Sequence, residues 1–284
     1  MEVTIKRRKT INVLINILKQ TLLIIPVLIV LGPLSYIIMG SFKTKVDYIK
    51  NPVGLPESFV FDNFKTLIND GQMLVWFKNS IIITIIAVLI SLIISSLAAY
   101  SFARINFKGR DQIFNFIISL MIIPPIVMII PLFVLATMAK LVNTYWSVII
   151  IYTGLMMPFN IYLLRNFFVT IPQSIIDSAK IDGCNDLKVF LRIILPLSKS
   201  ALVTLIVVSV LWVWNELLIA LIFLQRSELT TLMVGLVQYQ GKFKINQPAI
   251  LAGVLLSMIP MIAVYLFGQR FFVKGLTAGA LKGE

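Results

Sequence analysis

Six long apolar stretches decide what this chain can fold into: Leu22–Met39, Ile81–Phe102, Ile113–Leu135, Tyr145–Leu164, Leu202–Leu224 and Ala249–Phe267. A helix rises about 1.5 Å per residue, so about 20 apolar residues cross a hydrocarbon core about 30 Å thick. Each stretch fits that length. Helices suit them better than barrel strands, whose side chains alternate between lipid and lumen. Ile81-Ile82-Ile83-Thr84-Ile85-Ile86 does not alternate. The expectation is an all-α integral membrane protein with six transmembrane helices. Pro26, Pro33, Pro124, Pro125, Pro131, Pro158 and Pro260 fall inside the windows. Breaks of this kind survive in a bilayer where neighbouring helices or a cavity take up the freed carbonyls, so a packed bundle around a pathway is expected.

Composition closes off other classes. Of the 284 residues 59% are hydrophobic and 13% charged, against roughly 45–50% and about 25% in soluble domains. A soluble enzyme and a disordered chain are both excluded. There is no His and a single Cys, Cys184. The commonest general base and metal ligand is therefore missing, and an intrachain disulfide is impossible. No metal site and no catalytic residue are expected. A net charge of +13 would point to nucleic acid in a soluble protein. Here it marks loops retained in the cytoplasm, and no nucleic-acid partner is expected.

An even number of spans puts both termini on one side. That side holds most of the basic residues, including the Lys6–Lys9 cluster, Arg104–Arg110 and Arg165–Lys199, so both termini are expected in the cytoplasm. The first window carries a basic head like a signal peptide but no small-x-small cleavage site, and reads as an uncleaved span. The resulting organisation is a cytoplasmic segment 1–21, a six-span domain 22–267 with a cytoplasmic loop 165–200, and a cytoplasmic tail 268–284. No internal repeat is evident.

The loop Arg165–Ser200 reads either as a solvated connector or as a docking element, and its pattern favours the second. Pro172 can start a helix, Gln173–Asp182 has no breaker, and Gly183 stands where a helix ends in the left-handed conformation. Asp186 can cap a second helix. Leu187, Phe190, Leu191 and Ile194 then recur at helical spacing as one apolar face, and Pro196 closes the helix. Helix–Gly–helix with an exposed acidic face fits a soluble partner. Glu216 is the one charged residue in the six windows. It reads either as a pathway or gate residue beside Asn215, or as a residue near the external end of its span.

The loop resembles the EAA loop of ABC-importer permeases, a pattern close to E-A-A-x-x-D-G-A followed by L-P-L. Asp177, Ser178 and Ala179 fall on E-A-A, Asp182 and Gly183 on D-G, Cys184 on the small residue after them, and Leu195-Pro196-Leu197 on L-P-L. The departures are Asp for Glu, Ser and Cys for Ala, and Ser200 where many members have Pro. Tyr100-Ser101-Phe102-Ala103-Arg104, Asn63-Phe64, Asn79-Ser80, Trp214-Asn215-Glu216-Leu217 and the tail Gly275–Gly283 resemble the carbohydrate-uptake branch. Within it they resemble the six-span subunit typified by the smaller permease of the maltose importer. The likeness covers about Asn63 to Gly283.

That resemblance implies half of a heteromeric pore for a sugar or oligosaccharide in a prokaryotic cell membrane. The partners it implies are a second homologous permease, two ATP-binding subunits and an extracytoplasmic solute-binding protein. The chain has no G-x-x-x-x-G-K-[ST] loop, so ATP and Mg are expected in the partner subunits and no cofactor in this chain. Asp177–Leu187 is implied to be the coupling helix, with Phe190 and Leu191 anchoring it. Gly275, Thr277 and Gly279 of the tail are a candidate second contact with the ATPase. Trp212, Trp214 and Tyr152, with Asn215 and Glu216, are candidates to line the pathway. The competing class is a secondary transporter or channel not driven by ATP. One intramembrane carboxylate and no His is poor material for ion coupling. An intramembrane hydrolase lacks both an aspartyl pair and His.

Overall fold

A computed structural model describes residues 2–242 and 246–280, apart from the side chains of residues 2–15, 17, 18, 240–242 and 270–280. Among the described residues the chain is helical. The elements are α1 (Glu2–Ser41), α2 (Lys45–Lys50), α3 (Asp62–Asn69), α4 (Gln72–Arg104), α5 (Arg110–Ser119), α6 (Pro125–Met138), α7 (Tyr145–Val169), α8 (Gln173–Ile181), α9 (Asp186–Val189), α10 (Leu195–Leu197), α11 (Lys199–Asn215), α12 (Leu218–Phe223), α13 (Leu232–Lys242) and α14 (Gln247–Ala280). Four helices are long and apolar enough to cross a membrane, rising to six if each of two sharply bent pairs counts as one span.

Two expected spans are not straight rods. The window 113–135 holds α5, a short 3-10 turn and α6, and the pair bends by 104°. Pro124 and Pro125 cause this. The residue before a proline is pushed out of the helical region, and Ile123 and Pro124 are both extended (ψ 116° and 133°), while Pro125 restarts the helix at its first position. The window 202–224 holds α11 and α12, interrupted at Glu216 and Leu217, while the second sharply bent pair is Asp186–Leu197 with α11, at 77°. By contrast Pro26, Pro33, Pro158 and Pro260 lie inside continuous helices.

The chain forms two compact units. The first comprises residues 1–70 and 239–257. Here the segment after α1 is built by polar contacts rather than left as a slack connector. The fully buried Lys43 donates from Nζ to the Asn51 carbonyl, and Asn63 Nδ2 donates to the carbonyls of Ser41 (2.9 Å) and Lys43 (2.8 Å). Phe42 packs against Phe59, Phe61 and Phe64. Tyr48 shares a hydrogen bond with Tyr36; burial first and that contact second push its pKa up to about 12, so the phenol stays neutral at physiological pH.

The second unit comprises residues 71–238 and 258–284, and its centre is the pairing of α4 with α7. The seam is made of small and polar residues. Ala87, Ser91, Ser95 and Ala99 of α4 are fully buried, and Asn160 Nδ2 donates to Ser91 Oγ at 2.9 Å. In lipid, helices gain no hydrophobic drive toward one another, so close backbone approach and interhelical hydrogen bonds hold such pairs. α11 packs on both helices. Gly268 lets α14 approach α11: a Cβ there would lie 2.4 Å from Val207 Cγ2.

One residue fastens the N-terminal end of this unit. The buried Asn79 donates from Nδ2 to the carbonyls of Glu228 and Thr230, both at 2.8 Å, and accepts from the Tyr145 hydroxyl at 2.7 Å. Its neighbour Ser80 accepts from the Leu232 N–H at 2.8 Å. Asn79→Leu therefore strands two carbonyls and a phenol, each worth about 1–3 kcal/mol when left unpaired in a buried setting. The expected result is faster tryptic cleavage after the exposed Arg226, with α4 and α7 intact. An unchanged cleavage rate overturns the assignment.

Candidate coupling loop and pathway residues

The loop after α7 folds as helix, glycine turn and helix. α8 ends at Ile181, Asp182 is its C-cap, and Gly183 takes φ +81°. The Cys184 N–H donates to the Ala179 carbonyl (2.9 Å) and the Gly183 N–H to the Lys180 carbonyl (3.1 Å). This is the paired closure that glycine favours, because no Cβ meets the following carbonyl. Nothing lies within 4 Å of where a Cβ would stand, so conformation and not space selects glycine here.

The second helix departs from expectation in three ways. Its cap is Asn185, whose Oδ1 accepts the Lys188 N–H at 2.9 Å, and not Asp186. Asp186 instead pairs with Lys180 at 3.0 Å across the turn. Pro196 does not close the helix. The turn Phe190–Ile194 widens to π spacing, the Leu195 N–H reaching back to the Phe190 carbonyl, and the helix runs on to Leu197. A π turn takes one more residue than an α turn, which lets a proline follow without the usual clash. The buried face is also different. Val189, Phe190 and Ile194 are buried, whereas Leu187 and Leu191 are 58% and 52% exposed. Leu191 is therefore no anchor. Phe190 packs on Tyr100 of α4, with ring centroids 5.3 Å apart, inside a cluster with Leu164, Phe168, Ile176, Ala179 and Ile194.

Of the E-A-A and D-G positions, Ala179 is buried and Cys184 half-buried in that cluster, while Asp177, Ser178 and Asp182 face out. Ile175, Ile181, Leu187 and Leu191 stand exposed around them. The outer face of the loop is thus acidic and apolar together.

A contact that sequence reasoning missed ties this loop to α4. Arg104 Nη1 donates to Gln173 Oε1 (3.0 Å), and Nη2 donates to the carbonyls of Phe168 (2.5 Å) and Ile171. Gln173 Nε2 in turn donates to Asp177 Oδ1 at 2.9 Å. The Tyr100–Arg104 motif was the signal in the sequence; its partner, more than sixty residues on, was not readable.

Glu216 lies at the joint between α11 and α12 and closes it. Its Oε1 accepts the Ile219 N–H (2.9 Å), and Oε2 accepts the Ala220 N–H (3.1 Å) and the Tyr152 hydroxyl (2.5 Å). A carboxylate at the start of a helix satisfies amides that have no partner within the helix. The gate and external-end readings both missed this helix-capping role. Trp212 is 37% exposed, stands edge-on to Tyr152 at 5.6 Å, and lines a cleft of about 310 Å³ with Phe159, Asn160 and Ser209. Asn215 is exposed. Trp214 does not join them: it is buried, edge-on to Phe77 at 5.9 Å. The helix α14 extends through Ala280, but the side chains of the tail residues Gly275, Thr277 and Gly279 lie outside the described residues.

Residues 91–278 match the family described as binding-protein-dependent transport system inner membrane component. The trehalose/maltose transport system permease protein MalG of Thermococcus litoralis is 34% identical over 276 residues, 95% of this chain and 99% of that protein. The arabinooligosaccharides transport system permease protein AraQ of Bacillus subtilis is 32% identical over 260 residues, 90% and 92% of the two chains. A solved structure of a bacterial ABC transporter involved in the import of the acidic polysaccharide alginate superposes with a TM-score of 0.79 at 26% identity, covering 91% of this chain and 96% of that one. The chain belongs to the inner-membrane components of binding-protein-dependent transport systems: a multi-pass permease subunit of the ABC type, not an enzyme.

Proposed function

We propose that this chain is the transmembrane permease subunit of an ATP-driven importer for a sugar or oligosaccharide, and forms half of the translocation pathway. The other half is a second, homologous permease. Two cytoplasmic ATP-binding subunits hold ATP and Mg, and an extracytoplasmic binding protein delivers the sugar. Both termini lie in the cytoplasm of a prokaryotic cell. The named substrates of the relatives, trehalose, maltose and arabinooligosaccharides, support the sugar class.

The observation that carries this reading is the loop after α7, a helix closed on a left-handed glycine and presenting Asp177, Asp182, Ile181 and Leu187 outward. That face seats in a cleft of one ATPase subunit. Closure of the ATPase pair moves the loop as a rigid body, and with it α7 and α11, to which it is continuous. The tail about Gly275, Thr277 and Gly279 is a second contact with the ATPase. Trp212 offers an aromatic face to sugar in the cleft beside Asn160, and Asn215 lies close by along the chain. Glu216 serves the pathway by shaping its wall. The 18-residue apolar window of α1, buried nowhere in this chain, fits lipid and the second permease.

The test is reconstitution. In liposomes the chain alone is expected to give no uptake of radiolabelled maltodextrin or arabinooligosaccharide, with or without ATP. Co-reconstitution with its second permease, ATPase and loaded binding protein restores uptake that follows ATP hydrolysis. Robust uptake by the chain alone supports an ATP-independent carrier instead.

A further inference from the structure

We infer that Arg104 is a positioning residue that locks the coupling loop to α4, so that loop movement reaches α4 as well as α7 and α11. The motion itself rests on the importer reading above; the lock does not. Arg104 is the last residue of α4. Its guanidinium meets three acceptors on two other parts of the chain. Two are carbonyls, Phe168 in the last turn of α7 and Ile171 in the link that follows it; the third is the side chain of Gln173, the first residue of α8.

The chemistry calls for arginine. A helix C-terminus is the negative end of the peptide dipole and attracts a cation. A planar fork with five N–H groups in fixed directions can bind several acceptors at once, whereas an ammonium is a point charge on a flexible stem. Gln173 passes the constraint on, because its amide nitrogen holds Asp177, an outward carboxylate of the loop. One chain of contacts therefore runs from Arg104 through Gln173 to Asp177, alongside the apolar contact of Tyr100 with Phe190 one helical turn earlier on α4. Polar and apolar contacts thus tie α4 to both halves of the loop, Arg104 to its start and Tyr100 to the π turn.

Hydrogen exchange on the full-length chain in nanodiscs tests the lock without any partner. Arg104→Lys keeps the charge and loses the fork, and Gln173→Ala removes one acceptor while leaving the α4–α7 seam intact. Both are expected to speed exchange across residues 173–182, Arg104→Lys by roughly tenfold, since charge-assisted hydrogen bonds in partly buried sites carry about that weight. Exchange in the middle of α4 and α7 should not change. Wild-type protection of 173–182 in Arg104→Lys overturns the lock. In the reconstituted importer, Arg104→Lys is expected to lower sugar transported per ATP hydrolysed by several-fold, with subunit assembly unchanged. A merely structural role would instead lower assembly and leave the transport-to-hydrolysis ratio of the assembled fraction as in wild type, and that outcome overturns transmission through Arg104. If the wild-type complex fails to couple at all, the importer reading falls, while the exchange result still decides the lock.

Discussion

Glu216→Ala is expected to produce the largest loss of stability among single substitutions at the described pathway residues. The change strands the amides of Ile219 and Ala220 and the hydroxyl of Tyr152, which has only 1% of its surface exposed. Each unpaired group costs about 1–3 kcal/mol, so the total is on the order of 3 kcal/mol or more. Glu216→Gln retains one carbonyl oxygen and should lose less. Tyr152→Phe removes one bond and leaves the helix cap in place, and should lose least. Thermal unfolding of the purified chain in detergent should rank the three in that order. Uptake in the reconstituted importer should fall below detection for Ala alone. Wild-type stability of Glu216→Ala would show that the joint is held by packing of Ile219 and Phe223 and not by the carboxylate.

Gly183→Leu is expected to abolish stimulation of the ATPase by loaded binding protein while the chain still inserts and folds. An L-residue with a bulky side chain pays about 1–2 kcal/mol to hold a left-handed conformation, and the alternative is for α8 to end in another direction. Because the space around Gly183 is open, steric clash is not the cause. That makes a clean control available. Gly183→Asn, a residue that tolerates this region, should retain most of the stimulation, and Gly183→Leu should not. Equal stimulation in both variants would mean that the direction of the turn is irrelevant to coupling.

What the sequence revealed and what it hid can be traced to particular residues. Long apolar windows announce spans because the bilayer sets their length, and adjacent prolines announce the bend between α5 and α6. The break at Glu216 and Leu217 carries neither proline nor glycine. Its only mark is a carboxylate inside an apolar run, which invites a functional reading before a capping one. In the loop, Gly183 was legible because one residue type dominates that conformation. The buried face of the next helix was not. Of the stripe Leu187, Phe190, Leu191 and Ile194, only Phe190 and Ile194 meet the core; Leu187 and Leu191 lie on the flank away from it, and Val189, outside the stripe, takes a buried place. Arg104 was legible as part of a motif but not as a contact, since periodicity speaks only of near neighbours in the chain.

The joint at Glu216 also bears on how one span can serve two faces of a membrane. A rigid rod moves its two ends together, so an inner push would disturb the outer end equally. Here α11 follows the loop after α7 through a bend of 77°, whereas α12 is moored elsewhere. The Phe223 carbonyl accepts the Asn143 N–H at 2.9 Å, and Asn143 Oδ1 accepts the Gln225 N–H at 2.6 Å. Two extended or irregular residues separate the rods, with torsions that need no special side chain. On the importer reading proposed above, the arrangement is that of a crank with its far bearing fixed: α11 is the arm that the loop moves, Glu216 the pin, and α12 the bearing that stays seated.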